Sequence, residues 1–293
     1  MTATATSSDL ELPAPESLAR GDFDIVIRRL ADDLAFGSDT SRLVGSGLEY
    51  ASSRPYIPGD SVRLLNWRLT ARTGKPFVRE YEALKRTSAY IFVDTSASMS
   101  VTSVARSKHD LGVWIASALG LVAQRRMSPV AVVGAGERRV PLVASLSRND
   151  LWNALEPLRA HDFAEGTALG GRLRDASARA TRASLFVVIS DLHDPDAVPA
   201  ITQAAQRHDV AVIHLQDPSE TQPLRAGFVR VREAETGRAF LSTGREAFGN
   251  AEEIRGELLR SGADYLLLET DKPFIPPLRH FLGARGLLTR GRG

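Results

Sequence analysis

Five short runs, residues 90–93, 129–133, 185–189, 210–215 and 265–268, are apolar at nearly every position and are separated by stretches of helical periodicity. A strand that is apolar on both of its alternating faces must be covered on both, and intervening helices are what covers it. Leu111, Ile115, Ala118, Leu119 and Val122 mark one such helix, and Leu169, Leu173, Ala176 and Ala180 another. The pattern predicts an α/β fold with a doubly wound, mostly parallel sheet.

The chain has 293 residues, 43% of them hydrophobic and 25% charged, enough to bury a sizeable core. Residues 1–20, rich in Ala, Thr, Ser and Pro, read as a disordered tail. Residues 21–86 read as a small N-terminal module. It opens with a helix marked by Phe23, Val26, Ile27, Leu30 and Leu34, with Gly37 as a stop, and continues into a Gly/Pro-punctuated, β-rich stretch. Residues 87–293 hold the α/β domain, with a hairpin insertion expected near 225–244.

The absence of cysteine excludes disulfides, thiolate metal sites and a cysteine nucleophile. The first residues lack the basic start and apolar core of a secretory signal, and no apolar run approaches the roughly 18 residues needed to span a bilayer. A soluble, cytoplasmic protein without a membrane span is the expectation. Only four of the 37 basic residues are lysines, and the arginines are dispersed rather than gathered in one stripe, so nucleic-acid binding is not expected. The net charge of +2 conceals an uneven distribution: residues 54–86 carry 8 basic and 3 acidic side chains, and residues 272–293 carry 5 basic and none acidic. Such basic segments suit acidic protein partners.

Immediately after the first strand the chain reads Asp94-Thr95-Ser96-Ala97-Ser98. In an extended loop residues 94, 96 and 98 face one way, and a carboxylate with two hydroxyls suits a hard divalent cation. Asp191 directly follows the third strand, and Thr167 stands where the 169–180 helix begins, so both belong at the same sheet edge. Taken singly each is an ordinary turn or cap residue. Together they predict a metal site of Asp94, Ser96, Ser98, Thr167 and Asp191.

This Asp-x-Ser-x-Ser loop, with a later Gly-Thr and a strand-end Ser-Asp, resembles the metal-ion-dependent adhesion site of von Willebrand factor A domains. The resemblance implies that fold from about residue 89 to 270 and Mg2+ as the ion, with Mn2+ or Ca2+ as alternatives. Upstream, Arg54-Pro55-Tyr56-Ile57-Pro58-Gly59-Asp60-Ser61-Val62-Arg63, Asn66-Trp67 and Ala71-Arg72 resemble the signature of the family called domain of unknown function 58. That family implies an association with MoxR-type AAA+ ATPases. Asn66 departs from the Asp more usual in the family. Tyr56, Asp60, Arg63, Trp67 and Arg72 are the candidate partner or module contacts; Gly59 is expected to take positive φ, and Asp60 to accept backbone bonds while pairing with Arg63 or Arg72.

No phosphate-binding Gly-x-x-x-x-Gly-Lys loop and no Gly-x-Ser-x-Gly elbow occurs, and the six histidines form no helical metal-binding pair. The expected function is a non-catalytic, divalent-metal-dependent protein-binding adaptor. Its ion would be completed by an acidic residue of a MoxR-type ATPase or its client, in assembly, activation or metal insertion. A metal-assisted phosphoester hydrolase using the same site is the alternative.

Overall fold

The structure, a computed structural model, describes residues 12–35, 48–83, 87–136, 143–160, 168–221, 229–232, 239–242 and 251–284. In chain order the helices are α1 (Arg20–Ala35), α2 (Trp67–Thr73), α3 (Lys108–Arg125), α4 (Arg148–Arg159), α5 (Leu169–Arg179), α6 (Ala197–Ala205), α7 (Pro218–Thr221), α8 (Ala251–Arg260) and α9 (Ile275–Ala284). The strands are β1 (Leu48–Pro55), β2 (Phe77–Ala83), β3 (Ala89–Val93), β4 (Val130–Gly134), β5 (Leu185–Ser190), β6 (Asp209–Gln216), β7 (Val229–Arg232), β8 (Ala239–Ser242) and β9 (Asp264–Glu269).

All five apolar runs become strands of one parallel sheet in the order β4-β3-β5-β6-β9. Alternate side chains feed two separate cores. Ile91, Val93, Val187, Ile189, Ile213 and Leu215 join the side chains of α1, α3, α4 and α9 on one face. Phe92, Phe186, Val188, Val210 and Val212 join those of α5, α6 and α8 on the other. The chain leaves β3 for β4 on one side and then returns to β5 on the other, so the direction of winding reverses at the β3/β5 pair. Loops diverge there and leave a crevice beyond the carboxyl ends of the strands. The expected hairpin is present as the antiparallel pair β7–β8. Among the described residues no helix is long and apolar enough to cross a membrane.

The chain divides into two units: residues 39–86, and the remainder. The boundary moves the first helix out of the module to which periodicity assigned it, because α1 packs on α3. The reason lies in α3, which is buried at every position from Lys108 to Val122 and so needs cover on its outer side as well as against the sheet. Phe23 supplies much of that cover, with its ring centroid 5.1 Å from that of Trp114 and 6.0 Å from that of Trp152. The Arg159 guanidinium lies 4.4 Å above the Phe23 ring and donates to the carbonyls of Pro15 and Leu18. Those bonds order a segment expected to be tail: residues 15–17 form a 3-10 turn, and Leu12 and Pro15 are buried. Residues 1–11 lie outside the described residues.

In the smaller unit, β1 and β2 pair antiparallel, and Asn66 caps α2 by accepting from the Leu69 amide at 3.2 Å and donating to Ser53 at 3.0 Å. Asn is among the strongest N-cap residues and does this without bringing a charge. Gly59 has φ 110°, as a Pro-Gly turn requires. Asp60 accepts from the Ile57 amide, as expected, but its cation is Arg54, held through two bonds of 2.7 Å, and not Arg63 or Arg72. Arg54 on β1 already faces the turn, whereas Arg63 and Arg72 are exposed.

If α1 completes the core of the larger unit, Phe23→Ala should destabilise it by about 3–5 kcal/mol. Chemical denaturation followed through tryptophan fluorescence checks this. An unchanged midpoint would return α1 to the module.

Candidate metal centre

The Asp94 amide extends the parallel ladder by donating to the Ile189 carbonyl at 2.9 Å, and the Ala135 amide bonds the Val93 carbonyl at 2.8 Å. Asp94 is thereby fixed at the winding reversal, completely buried. Its Oδ1 accepts from the Ser96 amide at 2.9 Å and its Oδ2 from the Ser190 hydroxyl at 2.6 Å. The chain then turns through a 3-10 segment, Ala97–Ser100, anchored by the buried Met99. That turn brings the Ser96 and Ser98 hydroxyl oxygens within 2.9 Å of each other, and the Ser98 hydroxyl helps to hold the Asp191 pKa down.

Asp191 follows β5 and is 1% exposed. The next residue, Leu192, takes φ 58° with its side chain buried. A branched residue in the left-handed region stores strain of roughly 1–2 kcal/mol. The Ser190 hydroxyl holds the turn by accepting from the Leu192 amide at 2.8 Å while donating to Asp94. One serine therefore couples the two loops that carry the two carboxylates.

Four of the five metal residues expected from sequence are brought together: Asp94, Ser96, Ser98 and Asp191. Thr167 lies outside the described residues, although the amide of Ala168 bonds the Ala135 carbonyl at the end of β4. The donor set suits a hard divalent cation, since two carboxylates and two hydroxyls leave room for waters in a six-oxygen shell. The electrostatics agree. Burial, then the charge of Asp191, pushes the Asp94 carboxyl up to about 6, against the hydrogen bonds of Ser190 and Ser96. Neutral donors alone leave its charge undercompensated.

Sequence reading missed two residues of the centre, Lys108 and Glu220. Lys108, at the first turn of α3, is fully buried, with Nζ 2.7 Å from Asp191 Oδ2 and bonded to Glu220 on α7. Burial alone would lower the pKa of this ammonium, but the two carboxylates more than offset it and keep it charged. The same partnership works on Asp191: burial raises its pKa, and Lys108 and His193 overcome this and hold it low. One signal was legible, since Lys108 is a rare lysine in an arginine-rich chain at the head of an apolar helix. Glu220 carried none, because only the end of β6 brings it to Lys108.

His193, in the loop after β5, lies with Nδ1 3.4 Å from Asp191 Oδ2. Asp191, His193 and Glu220 offer ligand atoms within 4.8 Å of one another, a group that can hold a metal ion. Behind them, His214 on β6 is pushed down to about 4 by burial and sits 2.6 Å from the Tyr265 hydroxyl, so it stays neutral. Asp217, buried at the end of β6, accepts from the amides and hydroxyls of Ser103 and Ser219 and from Thr270. It ties the loop leading into α3 to the strand end that leads to Glu220.

A family model described as protein of unknown function DUF58 matches residues 52–255. The chain is 28% identical over 299 residues to Uncharacterized protein Mb1516 of Mycobacterium bovis and to Uncharacterized protein Rv1480 of Mycobacterium tuberculosis, covering 92% of this chain and 94% of each relative. A solved structure, the RO (RSR) protein of Deinococcus radiodurans, aligns at 17% identity with a TM-score of 0.34, over 69% of this chain and 34% of that one.

The Asp94 shift fixes a pH dependence. A carboxyl whose folded pKa is raised gives stability that is complete below its unfolded value near 3.9 and is lost as pH rises through about 6. In metal-free buffer the melting temperature should lose this contribution between about pH 4 and 6.5, and Asp94→Asn should flatten that loss. Calorimetric scans across the window decide; equal falls in both proteins would remove Asp94 as the cause.

Proposed function

The chain belongs to the DUF58 family, and from that premise we propose that it is a non-catalytic adaptor whose von Willebrand factor A-like unit binds a protein partner through a divalent cation. The observation that carries the reading is the convergence of Asp94, Ser96, Ser98 and Asp191 at the point where the parallel sheet reverses its winding. Asp94, Ser96, Ser98 and Asp191 would hold the ion, with Thr167 as the remaining candidate ligand. Mg2+ is the expected ion. A bound divalent ion supplies an electrophilic centre able to accept a carboxylate from a partner, and the neutral serines leave it so.

The chain's own residues support binding rather than turnover. Asp191, the nearest candidate general base, is tied to the Lys108 ammonium and held at low pKa, which makes it a poor proton acceptor. This weighs against the phosphoester hydrolase alternative. The family resemblance points to a MoxR-type AAA+ ATPase or its client as partner, in assembly, activation or metal insertion. Arg63 and Arg72, with Trp67 63% exposed between them in sequence, give the smaller unit side chains suited to an acidic protein surface.

Mg2+ at ten times its Kd should stabilise the wild type by about 1.4 kcal/mol, a rise of roughly 3–6 °C in melting temperature, and should leave Asp94→Ala unmoved. Pulldown of the cognate ATPase should fail in EDTA and with Asp94→Ala. Binding indifferent to both would overturn the adaptor reading.

A further inference from the structure

The Lys108 ammonium stands where an incoming divalent cation would have to find its second carboxylate. Its Nζ is 2.7 Å from Asp191 Oδ2, the side chain is completely buried, and its other partner is Glu220. Asp191 Oδ2 also lies 3.4 Å from His193 Nδ1. An ammonium and a divalent ion that share one buried carboxylate repel each other strongly, because little water screens them. One of them must give way. The divalent ion is the more highly charged, while the lysine has a flexible four-carbon stem and a second carboxylate already in contact.

We propose that Lys108 is a built-in exchangeable cation: it neutralises Asp191 while no divalent ion is bound and withdraws onto Glu220 when one arrives. This rests on the metal-dependent reading above and adds its regulation. Three features fit the exchange. Glu220 is held in place, with its Oε2 accepting from the Asp217 amide at 3.3 Å. Lys108 lies in the first turn of α3 behind the Ser107–Asp110 capping box, so its backbone stays fixed while the side chain swings. Asp217 binds both the Ser103 loop and Ser219, so the segment that receives Lys108 at Glu220 is joined to the loop that leads into α3.

The exchange has two consequences. Divalent ions bind more weakly than the donor set alone would allow, because each must first displace an internal competitor. Loading of the ion is also reported to α7 and to the loop before α3, the segments that frame the site. A partner that reads those segments distinguishes the loaded from the unloaded protein without touching the ion.

Titration of Mn2+ by calorimetry and by loss of its free EPR signal tests this on the full chain. Lys108→Met should bind Mn2+ at least tenfold more tightly than wild type, and Asp94→Ala should bind neither detectably nor specifically. Equal or weaker binding by Lys108→Met, with wild-type binding still lost in Asp94→Ala, overturns the exchange and leaves the metal site standing. Failure of both wild type and Lys108→Met to bind Mn2+ overturns the metal reading and the exchange with it. If Lys108→Met does not fold, the wild type labelled with 15N-lysine gives the answer. With four lysines in the chain, the buried ammonium is resolved from the rest. Its NMR signal should shift during Mg2+ titration with the midpoint of the thermal stabilisation; an unmoved signal at saturating Mg2+ rejects the exchange.

Discussion

Two carboxylates buried side by side at the ends of adjacent parallel strands demand a compensating positive charge, and the larger unit is organised around meeting that demand. Asp94 and Asp191 are 0% and 1% exposed, and the only ammonium in contact with them among the described residues is that of Lys108. It satisfies one of them. Asp191 is held at low pKa, Asp94 is left high, and the difference between two chemically identical groups comes from which has the lysine. In the proposed function, the residual charge on Asp94 is what would draw a divalent cation.

The rest of the architecture serves the placement of that charge. Lys108 can be buried only because α3 is buried along almost its whole length, and α3 is buried only because α1 lies across it. The Phe23–Trp114 contact, the Arg159 guanidinium above Phe23 and the ordered segment from Leu12 thus form the far wall of the same core whose near wall is the sheet. An element that looked like the start of a separate module is a structural requirement of the α/β unit. The family signature keeps its own internal logic: Arg54 clamps Asp60 while Gly59 makes the turn, and the arginines first considered as partners of Asp60 are left exposed.

The strands and both core faces were legible because an all-apolar run admits few structural solutions. The Asp94 loop was legible because three oxygen-bearing residues, Asp94, Ser96 and Ser98, alternate along one short segment. Glu220 was not, and Lys108 showed only its rarity and its place at the head of an apolar helix, since 112 residues separate the two and their pairing belongs to no local pattern. Helix α1 was found as a helix but assigned to the wrong neighbour, since amphipathicity specifies that a face is buried without specifying against what.

By itself, then, the sequence determined a parallel α/β sheet, the strand ends at which chemistry could occur, and a cluster of hard oxygen donors suited to a cation. The tertiary structure alone decided how the charge in that cluster is balanced. Local patterns encode periodicity and loop chemistry, but the pairing of one lysine with two distant carboxylates depends on where β5, β6 and α3 end in space. That pairing sets which of the two carboxylates the lysine neutralises.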